Sequence, residues 1–193
     1  MTKVPRKLIF LTHAQVAMDP EVPVPDWPLN TEGHARHAAF AQSDTPVGVT
    51  ALYSSTERKA RDGAAPLADA LNLTPRALET LGENDRSSTG FMPPSEFEPM
   101  ADAFFANPDT QVRGWESARA AQARIVAAVG TLAALDGTAG DILIVAHGAV
   151  GALMRCHLKR IEITRGEDQS AGGGFYFTTN TTLSQPPSDW IRI

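Results

Sequence analysis

Two unbroken apolar runs stand near the ends of the chain, and each stops abruptly in front of a histidine. The first is Lys7-Leu8-Ile9-Phe10-Leu11-Thr12-His13-Ala14 and the second is Asp141-Ile142-Leu143-Ile144-Val145-Ala146-His147-Gly148. Short runs of this kind, rich in branched residues and without polar alternation, predict strands buried on both faces. A third run, Val47 to Ser55, reads the same way and ends in two serines. Between the runs the period changes to that of a helix. In the segment opened by Trp115-Glu116-Ser117, the residues Ala118, Ala121, Ile125, Ala128, Val129 and Leu132 make one apolar stripe, which is core.

Other helices are predicted from Asn30-Thr31-Glu32-Gly33 through Ala41, with Thr31 as N-cap. Another runs from Thr56 to Leu71, with a kink or break at Pro66. Ser95-Glu96-Phe97-Glu98 reads as a capping box leading through Phe105, and a further helix follows His147 directly. Phe175 to Asn180 reads as a last clear strand after a turn at Gly172-Gly173-Gly174, and Ser188 to Ile193 as an edge strand. The segment Gln15 to Leu29 carries Pro20, Pro23, Pro25 and Pro28 and no helical period, so it is a long loop, a lid or a rigid connection.

Strands alternating with helices imply right-handed crossovers and a mostly parallel sheet covered on both faces, within a single domain spanning residues 1–193. In such sheets ligands bind beyond the carboxyl ends of the strands. His13 and His147 are both delivered there.

Composition narrows the function. The chain has 193 residues, 42% of them hydrophobic, which suits one globular domain with a full core. Its net charge of -5 gives no basic face for nucleic acid or an anionic membrane. Cys156 is the single cysteine, so neither an internal disulfide nor a Cys-rich zinc site can form, and a cytoplasmic location is expected. The basic N-terminus lacks a signal-peptide core, and no stretch has the length of a membrane span. His34 and His37, three apart on one helix, have no acidic or cysteine partner at ligand spacing and are expected in solvent.

Arg58 stands on the first turn of a helix at a strand end. A cation is unfavourable against the helix dipole there, unless an anion sits in front of it. Together with His13, His147 and Glu83 it forms a set suited to a phosphoryl group, whose oxygens need fixed donors. One histidine can attack phosphorus in line and Glu83 can protonate the leaving oxygen, with Asp85 as an alternative acid. The scheme needs no metal and no cofactor. Its partner is a small phosphorylated substrate or phosphate, and a homodimer is allowed.

These residues resemble the histidine phosphatase superfamily, which includes the cofactor-dependent phosphoglycerate mutases. Leu11-Thr12-His13-Ala14 stands where that family has Arg-His-Gly, and Pro28-Leu29-Asn30-Thr31-Glu32-Gly33 is similar to its Leu-Thr-x-x-Gly helix start. Ser54-Ser55-Thr56-Glu57-Arg58-Lys59-Ala60 resembles Ser-Ser-x-x-x-Arg-Ala. Leu81-Gly82-Glu83 and Val145-Ala146-His147-Gly148 match the acid-bearing loop and the second histidine motif.

The resemblance implies a three-layer α/β/α sandwich of phosphoglycerate mutase type, with a short strand within Leu73 to Leu81. It implies His13 as the nucleophile that forms a phosphohistidine, Arg58 and His147 as holders of the phosphoryl oxygens, and Glu83 as proton donor. Thr12 replaces the family's arginine in the phosphate site, Ala14 replaces its glycine, and Asp19 stands where many members have an asparagine on the phosphate. A charge-assisted hydrogen bond is worth roughly 1.5–3 kcal/mol, so Thr12 could cost on the order of ten- to a hundredfold in phosphate affinity. Two readings follow from this: a phosphomonoesterase, or a weak or inactive relative that binds a phosphorylated ligand or a partner protein.

Overall fold

The computed structural model describes residues 6–193. Six strands form one sheet: β1 (Lys7–Thr12), β2 (Val49–Ser55), β3 (Arg76–Leu78), β4 (Asp141–Ala146), β5 (Phe175–Asn180) and β6 (Ile191–Arg192). Their order across the sheet is β3-β2-β4-β1-β5-β6. The first four in that order are mutually parallel, and β5 and β6 add antiparallel. Five α-helices accompany the sheet: α1 (Thr31–Ala41), α2 (Arg58–Leu71), α3 (Pro94–Ala106), α4 (Ala118–Leu135) and α5 (Gly148–Lys159).

The alternation of side chains along β1 and β4 explains the layers. Leu8, Phe10, Ile142 and Ile144 pack with Ile125 and Val129 of α4 and with Val150 and Met154 of α5. Ile9, Leu11, Leu143 and Val145 pack with Phe40 of α1 and with Ala60, Ala64 and Leu67 of α2. Both faces of the central strands are therefore dry, which is why the runs carry no polar alternation. Burying each such side chain contributes about 1.5–3 kcal/mol. Truncating Phe10 or Ile144 would empty part of a closed core. A smaller cluster joins α3 to α5 through Phe104, Phe105 and Trp115 against Ala152 and Leu153.

Several boundaries differ from the sequence expectations. Asn30, not Thr31, caps α1, its side chain accepting from the Gly33 N–H at 2.8 Å. Pro66 does not break α2, which runs through it to Leu71. Ser95 caps nothing: α3 begins one residue earlier, with Pro94 in the first turn, where its missing N–H costs nothing. Ser117 does cap α4. Among the described residues, no helix is long and apolar enough to cross a membrane.

Candidate active site

β1 and β4 are adjacent and in register, with Thr12 opposite Ala146, so the next residue of each chain lies at the same edge of the sheet. The His13 and His147 rings meet edge to face, with centroids 5.2 Å apart. His13 is pinned through its backbone from both sides: its N–H donates to Ala146 O at 3.0 Å and its carbonyl accepts from Gly174 N–H at 2.8 Å. The glycine run makes that second contact possible. Gly172, Gly173 and Gly174 all have positive φ (92, 62 and 69°), and a Cβ on Gly173 would run into the His13 carbonyl.

The His13 ring is half-buried, and its Nδ1 lies 2.9 Å from Ala14 O. A carbonyl only accepts, so Nδ1 carries the proton and Nε2 keeps its lone pair. Burial, then the neighbouring His147 and Lys59, lower the His13 pKa to about 3, so the ring is neutral at ordinary pH. His147 is fully buried as the N-cap residue of α5. Neither of its ring nitrogens makes a hydrogen bond. Its nearest carboxylate oxygen is Glu57 Oε1, 3.3 Å from Nε2. Burial lowers His147 to about 4, against the pull of Glu57.

The first turn of α2 corrects the expectation for Arg58. Its side chain is exposed, and the buried face of the helix is Lys59, Ala60, Gly63, Ala64 and Leu67. A helix turns 100° per residue, so Arg58 and Lys59 cannot share a direction. Lys59, 3% exposed, is the cation that turns inward, donating to Glu57 Oε2 at 2.5 Å and to Val24 O at 2.8 Å. Counting along Ser54-Ser55-x-x-x places Lys59, directly before Ala60, in the family's arginine position.

Glu57, unassigned from sequence, is the hub of this side of the site. Besides its bond from Lys59 and its approach to His147, it accepts from the Glu83 N–H at 2.9 Å. Burial alone would raise its carboxyl, but His147, Lys59 and the Glu83 amide hold it at about 2.

Glu83 sits across the start of α5, its two oxygens accepting from the Ala149 and Val150 N–H groups at 3.1 and 3.0 Å. The amino terminus of α5 is thus already capped by a carboxylate of the chain itself. Asp85 is exposed, and the Ser87 amide and hydroxyl lower its carboxyl below the usual range. Asp168, also missed in the sequence, is half-buried near Gly148. Burial, with the Glu83 charge adding to it, pushes Asp168 up to about 6.

Thr12 does not face the reacting groups as a free hydroxyl. It is fully buried, accepts from the Phe175 N–H at 3.0 Å, and lies 2.5 Å from Gln169 Oε1, to which it donates. Gln169 in turn lies so close to Gly148 that a Cβ there would stand 2.6 Å from its Nε2. Asp19 turns away into its own loop, accepting from the Glu21 N–H at 3.0 Å.

His37 corrects the expectation of a solvent histidine: it is fully buried, and its Nε2 accepts from the Ala14 N–H at 3.1 Å, bracing the turn after His13. His34 is exposed, as expected. Among the described residues, no group of three or more His, Cys, Asp or Glu is arranged to hold a metal.

A cavity of about 1050 Å³ shares Glu57 and Glu83 with the site and is lined further by Asn84, Trp27, Phe91, Phe97 and Trp115. The Pro-rich loop forms one side of it, held by Trp27 Nε1 donating to Asp19 O and Val22 O.

Comparison with known proteins agrees with this fold. A mycobacterial glucosyl-3-phosphoglycerate phosphatase solved with inorganic phosphate superposes with a TM-score of 0.77 at 21% identity, over 97% of this chain and 96% of that one. YhfR of Bacillus stearothermophilus gives 0.73 at 21% identity, over 89% of each chain. A protein of Thermus thermophilus gives 0.69 at 18%, over 97% of this chain and 99% of that one. At such identities the likeness is one of fold. No curated protein sequence matches the chain. The family model for the histidine phosphatase superfamily (branch 1) matches residues 8–172, and with this fold the chain belongs to that superfamily.

Proposed function

We propose that this protein is a metal-independent phosphatase that hydrolyses phosphomonoesters through a phosphohistidine on His13. The observation that carries the reading is the histidine pair, with one ring whose Nε2 is free to attack beside a second ring that is buried with no hydrogen bond on either nitrogen, its Nε2 3.3 Å from the Glu57 carboxylate. A neutral His13 is the nucleophilic form. Its Nε2 forms the bond to phosphorus as the bond to the alcohol oxygen breaks, and Glu83, which enters this step protonated, gives that oxygen its proton. Water then attacks the phosphohistidine, Glu83 takes the proton back, and phosphate leaves with His13 neutral again.

His147 and Lys59 hold the phosphoryl oxygens. An unpartnered buried polar group costs about 1–3 kcal/mol, and an incoming oxygen at His147 removes that cost. The substrate is a small phosphorylated molecule.

A second reading, slow turnover or ligand binding alone, is favoured by the cations. Thr12 bonds only to the protein, and Lys59 is already paired with Glu57.

Quenching the protein in base during turnover of phenyl phosphate and analysing it by ³¹P NMR separates the two. An acid-labile phosphohistidine in the natural protein, absent from His13→Ala, is expected. Hydrolysis undiminished in His13→Ala would end the first reading. Phosphate binding by calorimetry with no label and no turnover would establish the second.

A further inference from the structure

The cavity that shares Glu57 and Glu83 with the site is far larger than a phosphoryl group needs and falls at the upper end of sizes that hold a whole small molecule. Its walls are aromatic. Trp27 and Phe91 approach at 5.6 Å between centroids, and Phe97 and Trp115 at 6.0 Å. Among the described residues, two groups in this lining lack an acceptor: a buried amide and a guanidinium. Asn84 is only 4% exposed, and its Nδ2 makes no hydrogen bond. Arg86 lies over the Phe97 and Trp115 rings at 5.1 and 5.7 Å, and among the described residues its guanidinium makes no ion pair.

Arg124, at the same cavity, is different: its nitrogens are engaged by Glu116 and by the carbonyls of Thr80, Gly82 and Glu83. A buried amide donor without a hydrogen bond and a planar cation stacked on aromatic rings but without an ion pair, both on the loop that follows Glu83, call for an acceptor that the described residues do not supply. Glu79, Asp85 and Glu98 also line the cavity and oppose a ligand with several negative charges.

We propose that this cavity takes the alcohol half of the substrate, and that this half is an aromatic ring bearing a single carboxylate bound by Asn84 and Arg86. The ring lies between the aromatic walls, and the carboxylate meets the guanidinium in two parallel bonds while accepting from Asn84 Nδ2. This substrate class rests on the phosphatase reading above, but the pocket itself can be tested without turnover.

The probes are phenylphosphonate, 4-carboxyphenylphosphonate and 4-hydroxybenzoate, titrated by calorimetry and by quenching of tryptophan fluorescence. The natural protein is expected to bind the carboxylated phosphonate at least about tenfold more tightly than phenylphosphonate, the value of one charge-assisted hydrogen bond. Arg86→Met and Asn84→Ala should each reduce that preference severalfold or more, and Arg86→Lys should keep part of it.

No preference in the natural protein, or a preference unchanged in both variants, overturns the proposal while leaving the phosphatase reading intact. Arg86-dependent binding of 4-hydroxybenzoate, with no gain from a phosphonate, upholds the pocket and removes the phosphatase reading. Failure of all three probes to bind overturns both.

Discussion

The ends of β1 and β4 are built from the same kind of sequence and lie side by side, yet they hold their histidines in opposite ways. His13 has its backbone fixed to both neighbouring strands and one ring nitrogen fixed to Ala14 O, while the ring itself is only half-buried. His147 is completely buried, and both its nitrogens lack hydrogen bonds. One ring is oriented and open; the other is enclosed and unsatisfied. The first arrangement suits a nucleophile, which must present one lone pair along one line. The second suits a receiver of oxygen, whose unpaired groups are met only when a ligand arrives.

The largest effect should come from exchanging these roles. His13→Ala is expected to lower kcat for an aryl phosphate by on the order of a thousandfold or more and to abolish the phosphoenzyme. His147→Asn should cost on the order of a hundredfold, the size of one lost transition-state donor, while the phosphoenzyme still forms. Equal losses, with label absent from both, would mean that the two strand ends do not differ in role. Steady-state rates beside trapping of the labelled protein decide it.

Next comes the hub that serves the β4 side. Glu57→Ala leaves Lys59 buried with no carboxylate and should lower stability by about 3–5 kcal/mol, read from urea unfolding. Inorganic phosphate should recover more of that loss in the variant than it adds to the natural protein, because Lys59 then has no other anion. Equal stabilisation of both by phosphate would show that Lys59 does not reach the ligand.

The parts of this site that were legible in the sequence are those governed by short range. The apolar runs marked β1, β2 and β4, and their shared polarity of chain direction put His13 and His147 at one edge. What failed to show was rotation and reach. Arg58 and Lys59 are both cations on one first turn; the motif spacing points to Lys59, and the position of the helix on the sheet turns that residue inward. Glu57 carried no assignment because its contact with Glu83 crosses 26 residues. His37 read as solvent because α1 has a weak apolar stripe, and its bond to Ala14 depends on how α1 lies against the β1 end. Asn84 and Arg86 carry no pattern of their own, and the absence of partners becomes visible only in three dimensions.

Acid should sharpen the contrast through the two fully buried histidines. His147 and His37 are lowered from 6.5 to about 4 and about 3, for His37 through burial first and then the nearby His13 and Arg36. The unfolded chain therefore takes up protons below about pH 6.5 that the folded chain refuses. The sign follows: their contribution is whole above pH 6.5 and is lost as pH falls toward 4 and 3, at up to about 1.4 kcal/mol per pH unit for each ring. Urea midpoints between pH 7 and pH 5 measure it, and His37→Gln should remove close to half of the part due to this pair. A slope unchanged by that variant would show that His37 already takes up its proton in the folded state.

The smallest effect concerns the β1 end, where Thr12 stands in the place of the family's arginine. The sequence alone suggests that Thr12→Arg should restore activity, but the structure has already filled that place. The hydroxyl accepts from Phe175 N–H and donates to Gln169, whose side chain crosses to Gly148. An arginine there must displace Gln169 and break the tie to β5, so the single variant should lose about 1–3 kcal/mol of stability and gain no rate. Thr12→Arg combined with Gln169→Gly opens the space and should raise kcat/KM for an aryl phosphate by about tenfold over Gln169→Gly alone, the lower end of what a charge-assisted bond supplies. If the double variant gains nothing although it folds, the oxygens of the phosphoryl group lie on the His147 side of the cleft, and the β1 end contributes only its nucleophile.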